Sequence, residues 1–506
     1  ESDPEAEITF DEASAFIHDL VDNQLLLPEL ALPVTGEEST PGLLRQLSSV
    51  RAMRNATSQL ARTSASLDAL DARGIGCDTN AYLAMARELE PLGVPVEMSR
   101  LFQIDLFKPA QEVALSDAVI GEILRGVELL HRPVVQRRHD PMLEDFRRAF
   151  RDRYGEGCEV PLLAALDEET GIGFDRSGLA GADASPLLAG LAFGGRATPS
   201  ISWMPADATL IRLLSDCIAA GRQEVELTEE DWNYLENRER PPLPDAFHAV
   251  VTLAAESAEA IERGDYRIYL QNATGPSGAR MLGRFCHADA QIRDGVIAHL
   301  AAEEALAPDA IFAEIVHLPA GRMGNILARP VLRQYEIPFL GSSGAPADRQ
   351  IPVSDLMVTV IADRIRLRSL THDREVIPRL TTAHNTTFES LGVYRFLASV
   401  QQALGMEWNW GPLEAAPFLP RVTSGRIVFS RARWRMRERD IKPFTTVSGN
   451  ARFELAQQWR AKHRMPRYVA LMDGDNELLL DFENPLNVEA VMDLFKTREE
   501  VVLNEV

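Results

Sequence analysis

From Ile311 to Leu318 apolar side chains run almost without a break, the pattern of a strand buried on both faces, and Pro319 and Gly321 end it. Leu356, Val358 and Val360 alternate with their neighbours, as do Ile365 and Leu367, and Ala362-Asp363 lies between the two runs. That pattern predicts a β-hairpin. Its second strand sets Arg364, Arg366 and Arg368 on the face opposite Ile365 and Leu367. Such a row suits a carboxylate or phosphate, because guanidinium is planar, permanently charged and bidentate. It equally suits a solvated sheet face paired with Asp and Glu. A second hairpin is predicted from YVALM and ELLLDF around Asp473 to Asn476, then a helix from Asn487 and a closing strand VVLNEV.

Helical spacing dominates the first third. Thr9 and Glu12 have capping-box spacing, and Ala13, Phe16, Ile17, Leu20 and Val21 follow as an apolar stripe, the pattern of a core helix; PVTG then marks a turn. Helical segments over 41–93 are broken at Gly74 and Gly76, and SRLFQIDLFKP reads as a strand with Asp105 facing away from Ile104 and Leu106. Two amphipathic helices follow over 112–153. Gly171 and Gly173 sit in a loop with no phosphate-binding lysine behind them, which excludes a nucleotide-binding loop there. A Gly/Ala/Pro-rich connection spans 179–207, and Pro241, Pro242 and Pro244 mark a boundary. Strands HAVVTLAA and YRIYL then lead into the glycine-rich QNATGPSGARMLGRFCH, which carries Asn272, Thr274, Ser277, Arg280 and Arg284 and precedes the helix QIRDGVIAHLAAEEAL. The expected fold class is mixed α+β, several helical layers around mixed sheets.

Composition narrows the picture. A chain of 506 residues with 45% hydrophobic and 25% charged residues has the make-up of a globular protein of more than one domain. No apolar run reaches the eighteen residues of a membrane span, and no secretory signal is visible. The four cysteines are scattered without metal-ligand spacing, so neither a zinc site nor a disulfide framework is expected. The formal net charge of -23 argues against nucleic-acid binding over the whole surface, and leaves room for local strips such as Arg132–Arg153, Arg364–Arg374, Arg431–Arg439 and Arg460–Arg467. Trp434, set among arginines, suits either stacking a base or packing.

The densest chemistry lies in 311–385, which carries His317, Arg322, Asn325, Arg329, Arg333, Tyr335, Glu336, Asp355, Arg379, Thr381, Thr382, His384 and Asn385. Its wording, EIVHLPAGRMGNILARPVLRQYEIP and REVIPRLTTAHN, together with SLGVYRFL, PFLPRV, SRARW, FQIDLFKPA and GPSGARMLGRF, resembles the tRNA-dependent glutamylation domain of class I lanthipeptide (lantibiotic) dehydratases over nearly the whole chain. The resemblance implies an acyl transfer in which a serine or threonine of a precursor peptide takes glutamate from glutamyl-tRNA as co-substrate, with no tightly bound cofactor and no metal. It carries roles to Arg284 first, Arg280 second and Asp105. His317 and His384 are candidates for general base, each with a purely structural reading beside it. Arg322, Asn325, Arg329, Arg333, Thr381, Thr382 and Asn385 are candidates for binding substrate, and WNWG after the SLGVYRFL helix for a cap over the site.

By the same resemblance, residues 1–40 would end a winged-helix-like element that binds the leader of the precursor peptide. Residues 41–245 would form a helix-rich part of the glutamylation domain, and 246–506 an α/β part with most of the site. An elimination domain, absent from this sequence, would belong to the rest of the enzyme or to a partner protein. Partners are then the leader-bearing precursor peptide, glutamyl-tRNA and the remainder of the dehydratase, with a homodimer as a candidate assembly and the bacterial cytoplasm as the expected location. Two other readings stay open: a peptide–aminoacyl-tRNA ligase forming an amide, and a non-catalytic subunit that binds the precursor.

Overall fold

In the computed structural model the described residues are 9–22, 25–26, 30, 32–93, 97–98, 101–108, 114–133, 141–174, 203–318, 324–382, 384–386, 391–401, 403–474, 476–494 and 498–506. They are mixed α+β and divide into two compact units, each assembled from three stretches of chain. The first takes 1–111, 139–191 and 276–403, and the second takes 112–138, 192–275 and 404–506.

The first unit is built on a six-stranded sheet whose order is Val160–Pro161, Leu356–Ile361, Arg364–Ser369, Arg374–Arg379, Ile311–Val316, Tyr335–Pro338. The Ile311–Val316 strand runs parallel to both of its neighbours, and all six of its residues are buried. The first hairpin forms as the alternation predicts: Ile361 pairs with Arg364, and both turn residues take positive φ, 45° at Ala362 and 61° at Asp363. Two such residues match the right-handed twist of the strands they join. Ile365 and Leu367 face the core, while Arg364 and Arg366 are exposed. Helices Pro141–Tyr154 and Gly392–Val400 pack on this unit's core through Phe146 and Phe396, whose ring centroids lie 4.7 Å apart. Phe150 and Phe396 are both fully buried, each worth about 1.5–3 kcal/mol in transfer terms.

The second unit holds two sheets. One runs Leu404–Met406, Arg267–Gly275, Ile427–Ser430, Arg421–Ser424, Glu224–Glu226, with His248–Ala254 also paired to Arg267–Gly275. The other is antiparallel, in the order Phe418–Leu419, Arg433–Arg437, Glu500–Glu505, Tyr468–Asp473, Asn476–Asp481. The closing strand therefore lies inside the sheet, and the second hairpin stands at its edge. The helix expected from Asn487 begins two residues earlier, over Pro485–Leu494.

Several expectations are corrected here. The capping box at Thr9 and Glu12 forms, with Thr9 N–H donating to Glu12 at 2.9 Å and Glu12 N–H donating to Thr9 Oγ1 at 3.3 Å. The Phe10–Asp22 helix it starts is not a core helix: Phe16 is 61% and Ile17 49% exposed. Residues 102–108 join no sheet among the described residues, and Ile104 and Leu106 stand exposed, so alternation there reflects an extended segment with no partner strand among them. Asn272 and Thr274 belong to the Arg267–Gly275 strand and not to a loop. Trp408 forms edge-to-face contacts with both Trp232 and Trp410 in the second unit's core, so WNWG is core packing and not a cap. Trp434 is 1% exposed and its indole N–H donates to the His463 carbonyl at 3.1 Å, which removes it as a stacking platform.

The arginine-dense windows are largely neutralised in place. Arg147 pairs with Glu144, Arg151 with Asp363, Arg368 with Glu159 and Asp373, Arg433 with Glu414, Arg435 with Glu500, and Arg467 with Asp481. Among the described residues no helix is long and apolar enough to cross a membrane, and no cluster of His, Cys, Asp or Glu is arranged to hold a metal.

Candidate functional site

Glu314 organises the chemistry of the first unit. It is the one acid in the buried strand IFAEIV, and at 1% exposure it must be paired. Oε1 accepts from Arg329 Nε at 3.0 Å and Nη2 at 2.7 Å, and from Thr381 N at 2.8 Å and Oγ1 at 2.8 Å. Arg329 also donates to the carbonyls of Leu327 and Ile315. Arg333 lies 3.6 Å from Glu314, donates to Glu304 at 2.8 Å and reaches Glu303 at 3.3 Å. Arg329 and Arg333, expected to bind substrate, are thus buried and engaged inside the protein, where they hold the end of one strand and the start of the TTAHN segment in register.

The glycine-rich loop is tied to the same hub. Ser277 Oγ donates to Glu303 at 2.9 Å, Gly278 N–H to His299 at 3.2 Å, and Gly283 N–H to the Thr381 carbonyl at 3.0 Å. A Cβ on Gly283 would stand 2.8 Å from Thr381 Oγ1, 2.9 Å from its carbonyl oxygen and 3.0 Å from Arg329 Cδ. Gly283→Ala is therefore expected to push the two segments apart and to cost about 1–3 kcal/mol. A lower urea midpoint with an unchanged slope would register it, and an unshifted midpoint would refute the close approach.

Next to Gly283, Arg284 pairs with Asp105 at 2.9 Å, and its guanidinium lies 4.6 Å from the Phe285 ring centroid. Both groups are partly exposed, so the structure joins two residues separated by 179 positions that the resemblance singled out separately.

Tyr394 is the common neighbour of two histidines. His384 Nδ1 lies 3.1 Å from its hydroxyl, and the His317 ring is 4.7 Å from its ring. Burial pushes the Tyr394 phenol up to about 12, so it keeps its proton near neutral pH. Burial also lowers both histidines below the usual imidazole range, with the neighbouring ring of His384 adding to the effect on His317. His317 Nδ1–H donates to the Phe339 carbonyl at 2.7 Å, a contact that only this tautomer makes. His384 Nε2 and Thr382 Oγ1 are buried with no hydrogen-bond partner among the described residues, on side chains that are 4% and 3% exposed. Two such orphans two positions apart in sequence are what a site awaiting a polar ligand leaves behind.

The remaining expectations are placed as follows. Asn325 is exposed on the short helix Gly324–Leu327, and Asn385 is exposed beside His384. Arg322 falls outside the described residues. Three contributors were not singled out from sequence. Glu314 had a signal, an acid within an apolar run. Tyr394 had none beyond its place in SLGVYRFL. The third is Val34-Thr35-Gly36: Thr35 Oγ1 donates to buried Glu336 at 2.6 Å, Gly36 N–H to the Arg329 carbonyl at 2.9 Å, and Arg329 N–H to the Val34 carbonyl at 3.2 Å. Burial raises Glu336 above the usual carboxylate range, against the hydroxyls of Ser343 and Thr35.

The model of the family described as lantibiotic dehydratase, N terminus, matches residues 2–491. Subtilin biosynthesis protein SpaB of Bacillus subtilis is 20% identical over 94% of the chain and 45% of its own length. Nisin biosynthesis protein NisB of Lactococcus lactis subsp. lactis is 24% identical over 36% of the chain and 18% of its own length. The chain thus spans less than half the length of these relatives. The crystal structure of the tRNA-dependent lantibiotic dehydratase MibB from Microbispora sp. 107891 matches 99% of the chain and 49% of its own, with a TM-score of 0.76 at 24% identity. The glutamylation domain TbtB from thiomuracin biosynthesis matches 96% of the chain and 62% of its own, with a TM-score of 0.51 at 19% identity. At these identities the structural likeness is one of fold, and the family follows from the sequence match along nearly the whole length: this chain belongs to the lantibiotic dehydratase N-terminal family.

Proposed function

We propose that this chain performs the acyl-transfer step of lanthipeptide dehydration, moving glutamate from glutamyl-tRNA to serine or threonine side chains of a precursor peptide. The observation that carries the proposal is the buried pair of polar atoms without a partner among the described residues, His384 Nε2 and Thr382 Oγ1, beside Tyr394. Family membership supplies the framework. The tRNA dependence of MibB and the glutamylation assigned to TbtB supply the reaction type.

The chemistry balances on these groups. The peptide hydroxyl oxygen attacks the acyl carbon of the aminoacyl ester, and a C–O bond to the peptide forms. The bond from the acyl carbon to the ribose oxygen breaks. The hydroxyl proton passes to that ribose oxygen, with neutral His384 Nε2 as the relay, since its Nδ1 faces Tyr394. Thr382 Oγ1–H donates to the tetrahedral oxyanion. Arg284, held by Asp105 and Phe285 at the surface of the same loop, suits the phosphates of the tRNA end. Residues 1–40 are assigned to the leader-binding element, 41–245 to the helix-rich and 246–506 to the α/β part of the domain. The elimination step is assigned to the rest of the enzyme or a partner protein, in the cytoplasm where charged tRNA is found.

The test incubates the chain with a leader-bearing precursor peptide and glutamyl-tRNA labelled in the amino acid. Label on the peptide that is released by mild base and depends on Arg284 is the expected result. Base-stable label would mean an amide and a ligase, and no label with peptide still bound would overturn the enzymatic reading.

A further inference from the structure

Among the described residues from 9 to 46, Val34 and Thr35 alone are buried. Apolar packing accounts for Val34, which lies with Val316 and Leu327. It does not account for Thr35, which is 1% exposed and held by hydrogen bonds. The Thr35 hydroxyl donates to Glu336 at 2.6 Å and accepts from Gly344 N–H at 3.0 Å. The fit leaves no spare room. A Cβ on Gly344 would stand 2.2 Å from the Thr35 carbonyl oxygen and 2.6 Å from Gly36 Cα. Gly36 itself takes a φ of 113°, which suits glycine and few other residues.

These three residues touch both halves of the site. On one side Arg329 N–H donates to the Val34 carbonyl and the Arg329 carbonyl accepts from Gly36 N–H, and Glu314 ties Arg329 to Thr381. Glu336 stands directly opposite Glu314 in the parallel register, so both acids project from one face of the sheet. On the other side the Gly36 carbonyl accepts from His287 Nε2–H at 2.8 Å. His287 lies three positions after Arg284 and caps the turn Gly283–Cys286 that carries it. A buried acid must be given donors, whereas an apolar residue would pack in the same strand without them. Glu336 takes its donors from Thr35 and Ser343. We propose that Val34-Thr35-Gly36 is a positioning strap of the acyl-transfer site, in which Thr35 sets the Thr381–His384 segment and the His287 bond sets the Arg284 turn. The inference rests on the acyl-transfer reading. The strap touches no reacting atom. It fixes the separation between Arg284, which meets the tRNA end, and His384, which moves the proton, and small misplacements of such groups are costly in rate.

The two fastenings serve different partners, and that difference sets the experiment. Transfer of labelled glutamate to a leader-bearing precursor peptide is followed over a range of glutamyl-tRNA concentrations. The parent chain is compared with Thr35→Val, Thr35→Ser, His287→Ala and His287→Gln, and thermal melts confirm folding. Thr35→Val is expected to lower kcat roughly fivefold to tenfold, the equivalent of one net hydrogen bond, with KM for glutamyl-tRNA unchanged. His287→Ala should raise that KM by a similar factor and leave kcat near the parent value. Thr35→Ser and His287→Gln each keep a donor and should restore most of the loss. His287 is half-buried and its replacement opens a single bond, so His287→Ala decides the matter if Thr35→Val does not fold. Parent-like kcat and KM in the folded variants would overturn the strap and leave the acyl-transfer reading standing. So would one shared fall in kcat with no change in KM and no recovery in Thr35→Ser or His287→Gln, the mark of a merely structural part. No label from the parent chain, with peptide still bound, would overturn the acyl-transfer reading and the strap with it.

Discussion

Replacing Glu314 by alanine is expected to destabilise the first unit by about 3–5 kcal/mol, the range for breaking a buried ion pair by removing one partner. The two arginines at Glu314 do not suffer equally. Arg333 keeps Glu303 and Glu304, whereas Arg329 keeps only the carbonyls of Leu327 and Ile315 and is 1% exposed, so it becomes an uncompensated buried charge. Thr381 N–H and Oγ1–H lose their acceptor in the same step. Urea unfolding followed by tryptophan-independent far-UV signal should show an early transition for the first unit. The double variant Glu314→Met with Arg329→Met should recover much of the loss, because apolar groups of similar volume replace a buried pair at little cost. A Glu314→Ala chain within about 1 kcal/mol of the parent would show that the hub contributes no more than an exposed pair.

How much of this was legible beforehand depends on the range of the interaction. The Ala362-Asp363 hairpin, the Thr9–Glu12 capping box and the terminal hairpin were readable because each is a pattern over a few neighbouring residues. The core status of the Phe10–Asp22 helix was misread because an apolar stripe states which face is apolar and not what covers it. The strand-like reading of 102–108 failed for a related reason: a strand needs a partner, and alternation names none. Within the site, the resemblance picked Asp105 and Arg284 from distant parts of the chain, but their contact exists only through the fold. Side-chain type marked Arg329 and Arg333 as anion binders. It could not show that their anions are Glu314, Glu303 and Glu304 and not a substrate. Tyr394 was invisible, since a tyrosine in an amphipathic helix reads as packing until two histidines meet on it.

Replacing His384 by alanine should lower the rate of label transfer by roughly 10²- to 10⁴-fold, the usual contribution of a positioned general base, while changing stability little. The small structural cost follows from what His384 lacks. Nε2 has no partner to lose among the described residues, and the bond of Nδ1 to Tyr394 is a single net contribution of about 1 kcal/mol. His384→Gln should be as slow as His384→Ala, since an amide does not take up a proton. Tyr394→Phe removes only the group that orients the ring and should slow transfer by roughly tenfold, the equivalent of one net hydrogen bond. The pH profile separates a proton acceptor from a merely structural ring. Burial holds His384 below the usual imidazole range, so its neutral form persists into mildly acidic solution. The rate should then stay level through neutrality and fall only as pH drops below the ordinary imidazole value and through the lowered one. In His384→Ala the residual rate should lose that acidic limb. A structural ring would give the opposite set: a large drop in thermal stability, a modest change in rate, and the same acidic limb in parent and variant.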